Sequence, residues 1–319
     1  MSYMEIAGHG AYVPKRVVTN DELSRMVDTS DEWIFTRTGI RQRRIAENEN
    51  TSDMAVAAAR EILESAGVSA SEVELIIVTT GTPDYLVPSA ACLVQKGIGA
   101  WNAFCFDLNA ACAGFLYGMS AARGMLDRYD NILLIGAEML SKLTDWTDRK
   151  TCVLFGDAAG GALLRRSEKP RRYAEFLRSD GRGAEYLTMG YMAPTGMSES
   201  FLPYSKVDMN SREVYNFVVN TTPETIQGVL GRAGIGMESV RYIVPHQANL
   251  RMVEGFAKKM GLPMDKFYMT IGEFANTSSA SIPVTLDRMF REKLIGGGDI
   301  IILTAFGGGL TCGSTLIEL

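Results

Sequence analysis

Three residues stand where this sequence could do chemistry on a carbonyl. Cys112 lies in Asn109-Ala110-Ala111-Cys112-Ala113-Gly114-Phe115, a knot of small residues that leaves room for a substrate to approach. A thiol at the start of a helix meets free N–H groups and the positive end of the dipole. Both favour thiolate, so a nucleophile with a lowered pKa is expected. A small buried core cysteine is the competing reading. His246, in Val244-Pro245-His246-Gln247-Ala248-Asn249, directly follows an apolar run and has its backbone fixed by Pro245. It reads as a proton donor or as a structural hydrogen-bonding residue. Asn276 opens the run Asn276-Thr277-Ser278-Ser279, which is too polar for a bare core. Turn and cap chemistry is the preferred reading of those last three side chains. Phe306-Gly307-Gly308-Gly309 lets backbone approach a ligand closely, and a tight turn explains it equally well. His9 reads as structural.

The elements that position these residues alternate strand and helix. Ala103 to Leu108 reads as the strand before Cys112. Ala113 to Leu126, 14 residues and almost wholly apolar, reads as a buried helix behind it. Val73 to Thr80 and Asn131 to Gly136 read as strands buried on both faces. Thr151 to Leu164 holds two β-like runs around Phe155 to Gly160.

The second half repeats the first at a constant offset of 167. Glu64–Val68 falls on Gly231–Ile235, and Val73–Ile77 on Val240–Val244. Asn109–Ala113 falls on Asn276–Ala280, and Ile132–Ile135 on Asp299–Ile302. Four elements in register without a gap indicate a duplication. Two α/β halves are expected, 1–172 and 173–319, each with a mainly parallel sheet. The Cys112 helix and its counterpart after Asn276 form the expected central pair. Residues 187–216, rich in Met, Pro, Gly, Ser and Tyr, break the repeat and read as a loop inserted over a site.

Composition narrows the function. With 46% hydrophobic and 22% charged residues the chain is globular in character, and it has no long apolar run or signal-like start. The net charge of −5 disfavours nucleic acid as a partner. Five cysteines without metal spacing and only two histidines argue against disulfides and zinc, and fit the cytoplasm. No phosphate-loop or GxGxxG pattern signals a nucleotide cofactor.

Taken in order, these motifs, with Asp28-Thr29-Ser30-Asp31-Glu32-Trp33-Ile34-Phe35-Thr36-Arg37-Thr38-Gly39-Ile40-Arg41 and Phe155-Gly156-Asp157-Ala158-Ala159-Gly160, closely resemble the thiolase-like condensing enzymes. Within them the match is best to the β-ketoacyl-acyl-carrier-protein synthase III family, over essentially the whole chain. The resemblance implies a duplicated five-layer α/β/α/β/α fold. It implies decarboxylative condensation of an acyl-CoA primer with malonyl-acyl carrier protein, the first step of type II fatty-acid synthesis. Acyl-CoA would be a substrate, with no resident cofactor and no metal.

By the same resemblance Cys112, His246 and Asn276 are catalytic. Gly308 and Cys112 would supply oxyanion N–H groups, and Phe306 would crowd the malonyl carboxylate. Trp33, Arg37, Arg149 and Asn249 would bind CoA. Arg251, Lys258 and Lys259 share a helix face after His246 and would dock the acidic carrier protein; a plain solvated face is the other reading. The family is homodimeric. In members restricted to short primers the residue before Pro88 is often an aromatic that plugs the partner's acyl pocket. Here it is Val87, so a roomier pocket is expected. Lys150 stands where glycine is common. The alternatives are a related acyltransferase or secondary-metabolite ketosynthase with another acceptor, and a non-catalytic scaffold that keeps the fold.

Overall fold

The computed structural model describes residues 3–191 and 205–319. In chain order it begins with strands β1 (Tyr3–Tyr12) and β2 (Arg16–Thr19), helices α1 (Asn20–Leu23) and α2 (Asp31–Thr38), and strand β3 (Gln42–Ile45). Helix α3 (Thr51–Ala66), β4 (Leu75–Thr79), α4 (Ala90–Ile98), β5 (Phe104–Leu108), α5 (Gly114–Met125), β6 (Asn131–Met139) and β7 (Asp157–Ser167) follow. Next come β8 (Tyr173–Ser179), β9 (Leu187–Thr188), β10 (Asp208–Met209), α6 (Ser211–Ala233), β11 (Tyr242–Pro245) and α7 (Leu250–Met260). The chain ends with α8 (Ile271–Phe274), α9 (Ser281–Arg291), β12 (Ile300–Gly307) and β13 (Thr311–Glu318).

Two sheets dominate. One has strand order β1-β7-β6-β4-β5, the other β11-β12-β13-β8. Alternation along the strands makes five layers. Ile76, Val78, Leu133 and Ile135 face α3 and α4 on the outer side of the first sheet. Leu75, Ile77, Ile132 and Leu134 face the opposite way, into a central layer where Phe115, Leu116 and Met119 of α5 meet Ile282, Leu286 and Met289 of α9. Ile301 and Leu303 close that layer from the second sheet, while Ile302 and Leu316 face α6 and α7 outside. Burying both faces of both sheets accounts for the unbroken apolar runs of β4 and β12.

The offset of 167 is visible in the backbone. Short 3-10 turns at Ala111–Ala113 and Ser278–Ala280 precede α5 and α9. Both turns start on a left-handed residue, Ala111 and Ser278, each with φ of 48°. In both, an asparagine two residues earlier accepts the N–H of that residue, Asn109 at 3.0 Å and Asn276 at 2.9 Å. One strand has no partner in the repeat: the position of β5 is taken by the short helix α8.

Three sequence expectations need correction. The sheets are not mainly parallel: β4 pairs in parallel with β5 and β6, and β11 with β12, but β1–β7, β6–β7, β12–β13 and β13–β8 are antiparallel. The reason is connection: β12 returns to β13 through a three-residue turn, with no helix to carry a crossover. The two β-like runs between Thr151 and Leu164 are a turn followed by the single strand β7. The expected insertion 187–216 ends earlier, because 211–216 is the first part of α6. Within it β9 and β10 form a small antiparallel ladder, and residues 192–204 of that expectation lie outside the described residues.

Candidate active site

A cavity of about 220 Å³ opens between the halves. Cys112, His246, Asn276, Phe306 and Gly307 line it together with Phe155 and Leu187. Trp33, Arg37, Lys150 and Asn249 line it as well. Exposure falls from Arg37 and Lys150, which are exposed, to His246, Asn276 and Phe306, which are buried. The chemistry would therefore sit at the dry end of a passage with a cationic mouth.

Cys112 and His246 follow the strands β5 and β11, and Asn276 follows the short helix α8. Cys112 lies in the turn between β5 and α5, so the helix N-terminus stands directly behind it. The Gly307 backbone packs against it: a side chain there would bring its Cβ to 2.7 Å from the Cys112 backbone nitrogen. His246 follows β11, and its backbone N–H donates to the Thr304 carbonyl at 2.8 Å. Its Nδ1 lies 2.7 Å from the Ser281 hydroxyl, and its ring meets Phe306 edge-on at 5.4 Å. The Gln247 backbone N–H reaches the same Ser281 oxygen at 3.4 Å, which leaves the Ser281 proton for Nδ1. With the hydroxyl donating to Nδ1, the ring proton sits on Nε2. Asn276 is clamped by backbone bonds to Leu154 and Gly156, at 3.0 and 2.9 Å. Its carbonyl oxygen accepts the Ser278 N–H, which leaves the amide NH₂ as a donor.

The electrostatics correct one expectation. Burial pushes the Cys112 thiol up to about 12, and the negative charge of Glu138 adds to this, while the Ser278 hydroxyl opposes it. A helix N-terminus is worth at most ~2 kcal/mol, roughly 1.5 pKa units. That is too little to offset the desolvation, so the thiol of the unliganded chain is protonated. Burial also lowers His246 to about 3, so the imidazole is neutral and presents no cation to the cavity.

Known proteins resemble this chain in sequence and fold. The family model described as 3-oxoacyl-acyl-carrier-protein (ACP) synthase III matches residues 106–181, and its C-terminal companion matches residues 230–319. The chain is 48% identical to a β-ketoacyl-acyl-carrier-protein synthase III of Clostridium beijerinckii, over all of both chains. This chain belongs to the β-ketoacyl-acyl-carrier-protein synthase III family. The synthase III crystal structure from Aquifex aeolicus aligns with a TM-score of 0.93 at 41% identity, covering 99% of this chain and 100% of that one. The priming β-ketosynthase of the R1128 polyketide pathway also aligns at 0.93, with 34% identity, covering 100% of this chain and 96% of that one. The fold is thus that of the thiolase-like synthases.

The remaining residues that the synthase III resemblance singled out are placed as follows. Arg149 and Arg37 both stack on the Trp33 indole, at 4.2 and 4.5 Å, and Arg149 also pairs with Asp28 at 3.6 Å. Asn249 caps α7 by accepting the Arg251 N–H, and faces the cavity. Arg251, Lys258 and Lys259 are exposed on α7, opposite its buried Met252, Val253, Phe256 and Ala257. Arg251 is partly committed to structure, since its Nε donates to the Thr36 carbonyl at 3.0 Å. Lys259 donates to Asn220 at 2.8 Å. Gly308 follows Gly307 beside Ala111. Val87 is 86% exposed and is absent from the cavity wall of its own chain.

Sequence reasoning missed several contributors. Ser278 and Ser279 are more than turn residues: their hydroxyls donate to the buried Glu138 at 3.0 and 2.8 Å. Ser281 holds His246. Leu187, Met209, Ser211 and Val214, from the segment that broke the repeat, wall the cavity. The polarity of 276–281 was the available signal for the serines. Nothing in the sequence pairs Glu138 with them. His9 is structural, with Nδ1 at 2.8 Å from Asp287 and its ring stacked on Phe290 at 4.5 Å.

Among the described residues no cluster of metal-ligating side chains is present, all five cysteines are free, and no helix is long and apolar enough to cross a membrane.

Proposed function

We propose that this chain is the initiating condensing enzyme of type II fatty-acid synthesis, joining an acyl-CoA primer to malonyl-acyl carrier protein. The observation that carries the residue roles is the convergence of Cys112, neutral His246 and Asn276 on one cavity with a cationic mouth.

In the first half-reaction the Cys112 sulfur bonds to the acyl carbon, the CoA–acyl bond breaks, and the thiol proton ends on the CoA sulfur. The backbone N–H groups of Cys112 and Gly308 hold the developing oxyanion, each worth roughly 3 kcal/mol. In the second, malonyl thioester loses carbon dioxide and the released electron pair forms the new carbon–carbon bond at the acyl carbon. Cys112 leaves as thiolate and recovers a proton. His246 Nε2–H and the Asn276 amide donate to the enolate oxygen, and Phe306 gives the carboxylate an apolar surface to leave.

CoA enters past Trp33 and Arg37, and Arg149 swings off the indole to admit the adenine, for which the ring supplies a stacking surface. The acidic carrier protein docks on Arg251, Lys258 and Lys259. A homodimer is supported by β5, an edge strand beside exposed Trp101 and Phe104, and by the exposed loop Tyr85-Leu86-Val87. The enzyme works in the cytoplasm and uses no resident cofactor.

The runner-up is a priming ketosynthase of secondary metabolism, favoured by the likeness to the R1128 enzyme. Incubation with acyl-CoA and carboxyl-labelled malonyl-acyl carrier protein tests the proposal. Release of one labelled carbon dioxide per 3-oxoacyl-carrier product supports it. Acyl transfer without carbon dioxide release would overturn it.

A further inference from the structure

Gln247 directly follows His246, is fully buried, and has no part in the chemistry above. Its side chain is nonetheless fully engaged. Nε2 donates to the Pro245 carbonyl at 2.8 Å and to the Tyr268 carbonyl at 3.4 Å. Oε1 accepts the Thr270 N–H at 2.9 Å and the Ile271 N–H at 3.0 Å. Both donors and both lone pairs of the amide are used. Two backbone N–H groups aimed at one end of the amide fix which way round it lies.

The duplication shows what this amide replaces. At the offset of 167, Thr80 falls on Gln247 and Leu108 on Ala275. In the first half β4 and β5 pair from Leu75–Phe104 to Thr79–Leu108, and the Thr80 N–H extends the ladder to the Leu108 carbonyl, one residue before Asn109. The second half keeps little of that ladder. Beside β11 there is a bridge from Ile243 to Phe267, and the Tyr268 N–H donates to the Ile243 carbonyl at 3.2 Å. The chain then turns into α8, whose cap residue Thr270 makes no side-chain cap bond. The first N–H groups of that buried turn need acceptors from elsewhere. Gln247 supplies the acceptor, and its donors hold the backbone on the other side.

Both proposed enolate donors hang from this one side chain. Pro245, whose carbonyl it holds, is bonded to His246. Ile271, whose N–H it holds, accepts the Ala275 N–H at 3.0 Å on its carbonyl, and Asn276 is the next residue. We propose that Gln247 is a positioning residue for the condensation half-reaction: its amide sets the spacing between His246 and Asn276. Two donors converging on one oxygen need placement within about 0.5 Å. The Cys112 turn is held separately, by Asn109 on the Ala111 N–H at 3.0 Å and by Thr311 on the Ala110 carbonyl at 3.1 Å.

The proposal rests on His246 and Asn276 being the enolate donors, and two measurements on the full chain separate the half-reactions. Acylation of Cys112 by acyl-CoA is followed by intact mass. Carbon dioxide release is followed from carboxyl-labelled malonyl-acyl carrier protein. Gln247→Met keeps the length of the side chain and removes all four bonds. Its carbon dioxide release falls about a hundredfold, the cost of a misplacement of about 1 Å, while acylation stays within about twofold of the unaltered rate. Gln247→Glu keeps the acceptor for α8 and loses the donors, so it carries the test if the Met variant does not fold. Its carbon dioxide release falls about tenfold, again with acylation spared. Carbon dioxide release at the unaltered rate, or an equal fall in both measurements, overturns the proposal. An unaltered protein that is acylated and releases no carbon dioxide overturns the reading of His246 and Asn276, and this proposal with it.

Discussion

The Nδ1 of His246 lies 2.7 Å from the hydroxyl of Ser281, 35 residues later and the first residue of α9. That contact decides which nitrogen carries the ring proton, and so whether the cavity receives a donor or an acceptor. Ser281→Ala leaves the tautomer free. Condensation slows about tenfold, the value of one neutral hydrogen bond, while acylation of Cys112 keeps its rate. Stopped-flow acylation and steady-state turnover, measured on the same sample, separate the two.

His246 makes stability depend on pH. Its folded pKa, about 3, lies below the ordinary 6.5. The unfolded chain takes up a proton near 6.5 that the folded chain refuses, so this group's contribution is complete above that pH and is lost as pH falls toward 3. Between pH 7 and 5.5 the loss is about 1.2 kcal/mol. Urea unfolding of the native chain and of His246→Gln at both pH values reads the difference. Equal pH dependence in the two proteins contradicts a buried neutral imidazole.

Gly307 is where backbone meets Cys112. In Gly307→Ala the new Cβ is 2.7 Å from the Cys112 backbone nitrogen and 3.0 Å from its Cβ. Relief of that overlap costs about 1–3 kcal/mol of stability. It also displaces a proposed oxyanion donor, so Cys112 acylation falls by about a hundredfold. Wild-type acylation by the alanine variant would remove this backbone from the site.

Much of the fold was legible because a duplication repeats its own physical solution. Asn109 and Asn276 sit at the same place in two identical turns, and Ala111 and Ser278 share one backbone conformation, so the offset in sequence became an offset in structure. The pairing directions were less legible, since β6–β7 and β12–β13 depend on how the chain returns, which hydropathy does not encode. The site was legible through residue types after apolar runs for Cys112 and His246, and through the repeat for Asn276, which falls on Asn109. The protonation of Cys112 was not. A helix start is a local feature, but the desolvation and the Glu138 charge that outweigh it come from residues distant in sequence. Glu138 itself reads as one more acid at the end of a strand.

Val87 carries the specificity prediction. It is exposed in its own chain, so the proposed acyl pocket would receive it from a second copy. Val87→Phe narrows that pocket. Loading from branched and longer acyl-CoAs falls at least tenfold, and acetyl loading stays near its original rate. Competition between acetyl-CoA and a branched acyl-CoA, read by adduct mass, gives the ratio. An unchanged ratio removes Val87 from the pocket.

The account's central claim is that Cys112 carries the acyl group between two half-reactions. Intact mass spectrometry after mixing with acyl-CoAs from acetyl to long and branched chains tests it most directly. A mass gain of one acyl group is expected, absent from Cys112→Ala and discharged when malonyl-acyl carrier protein is added. An adduct that survives in Cys112→Ala, or that malonyl-acyl carrier protein leaves untouched, would contradict it.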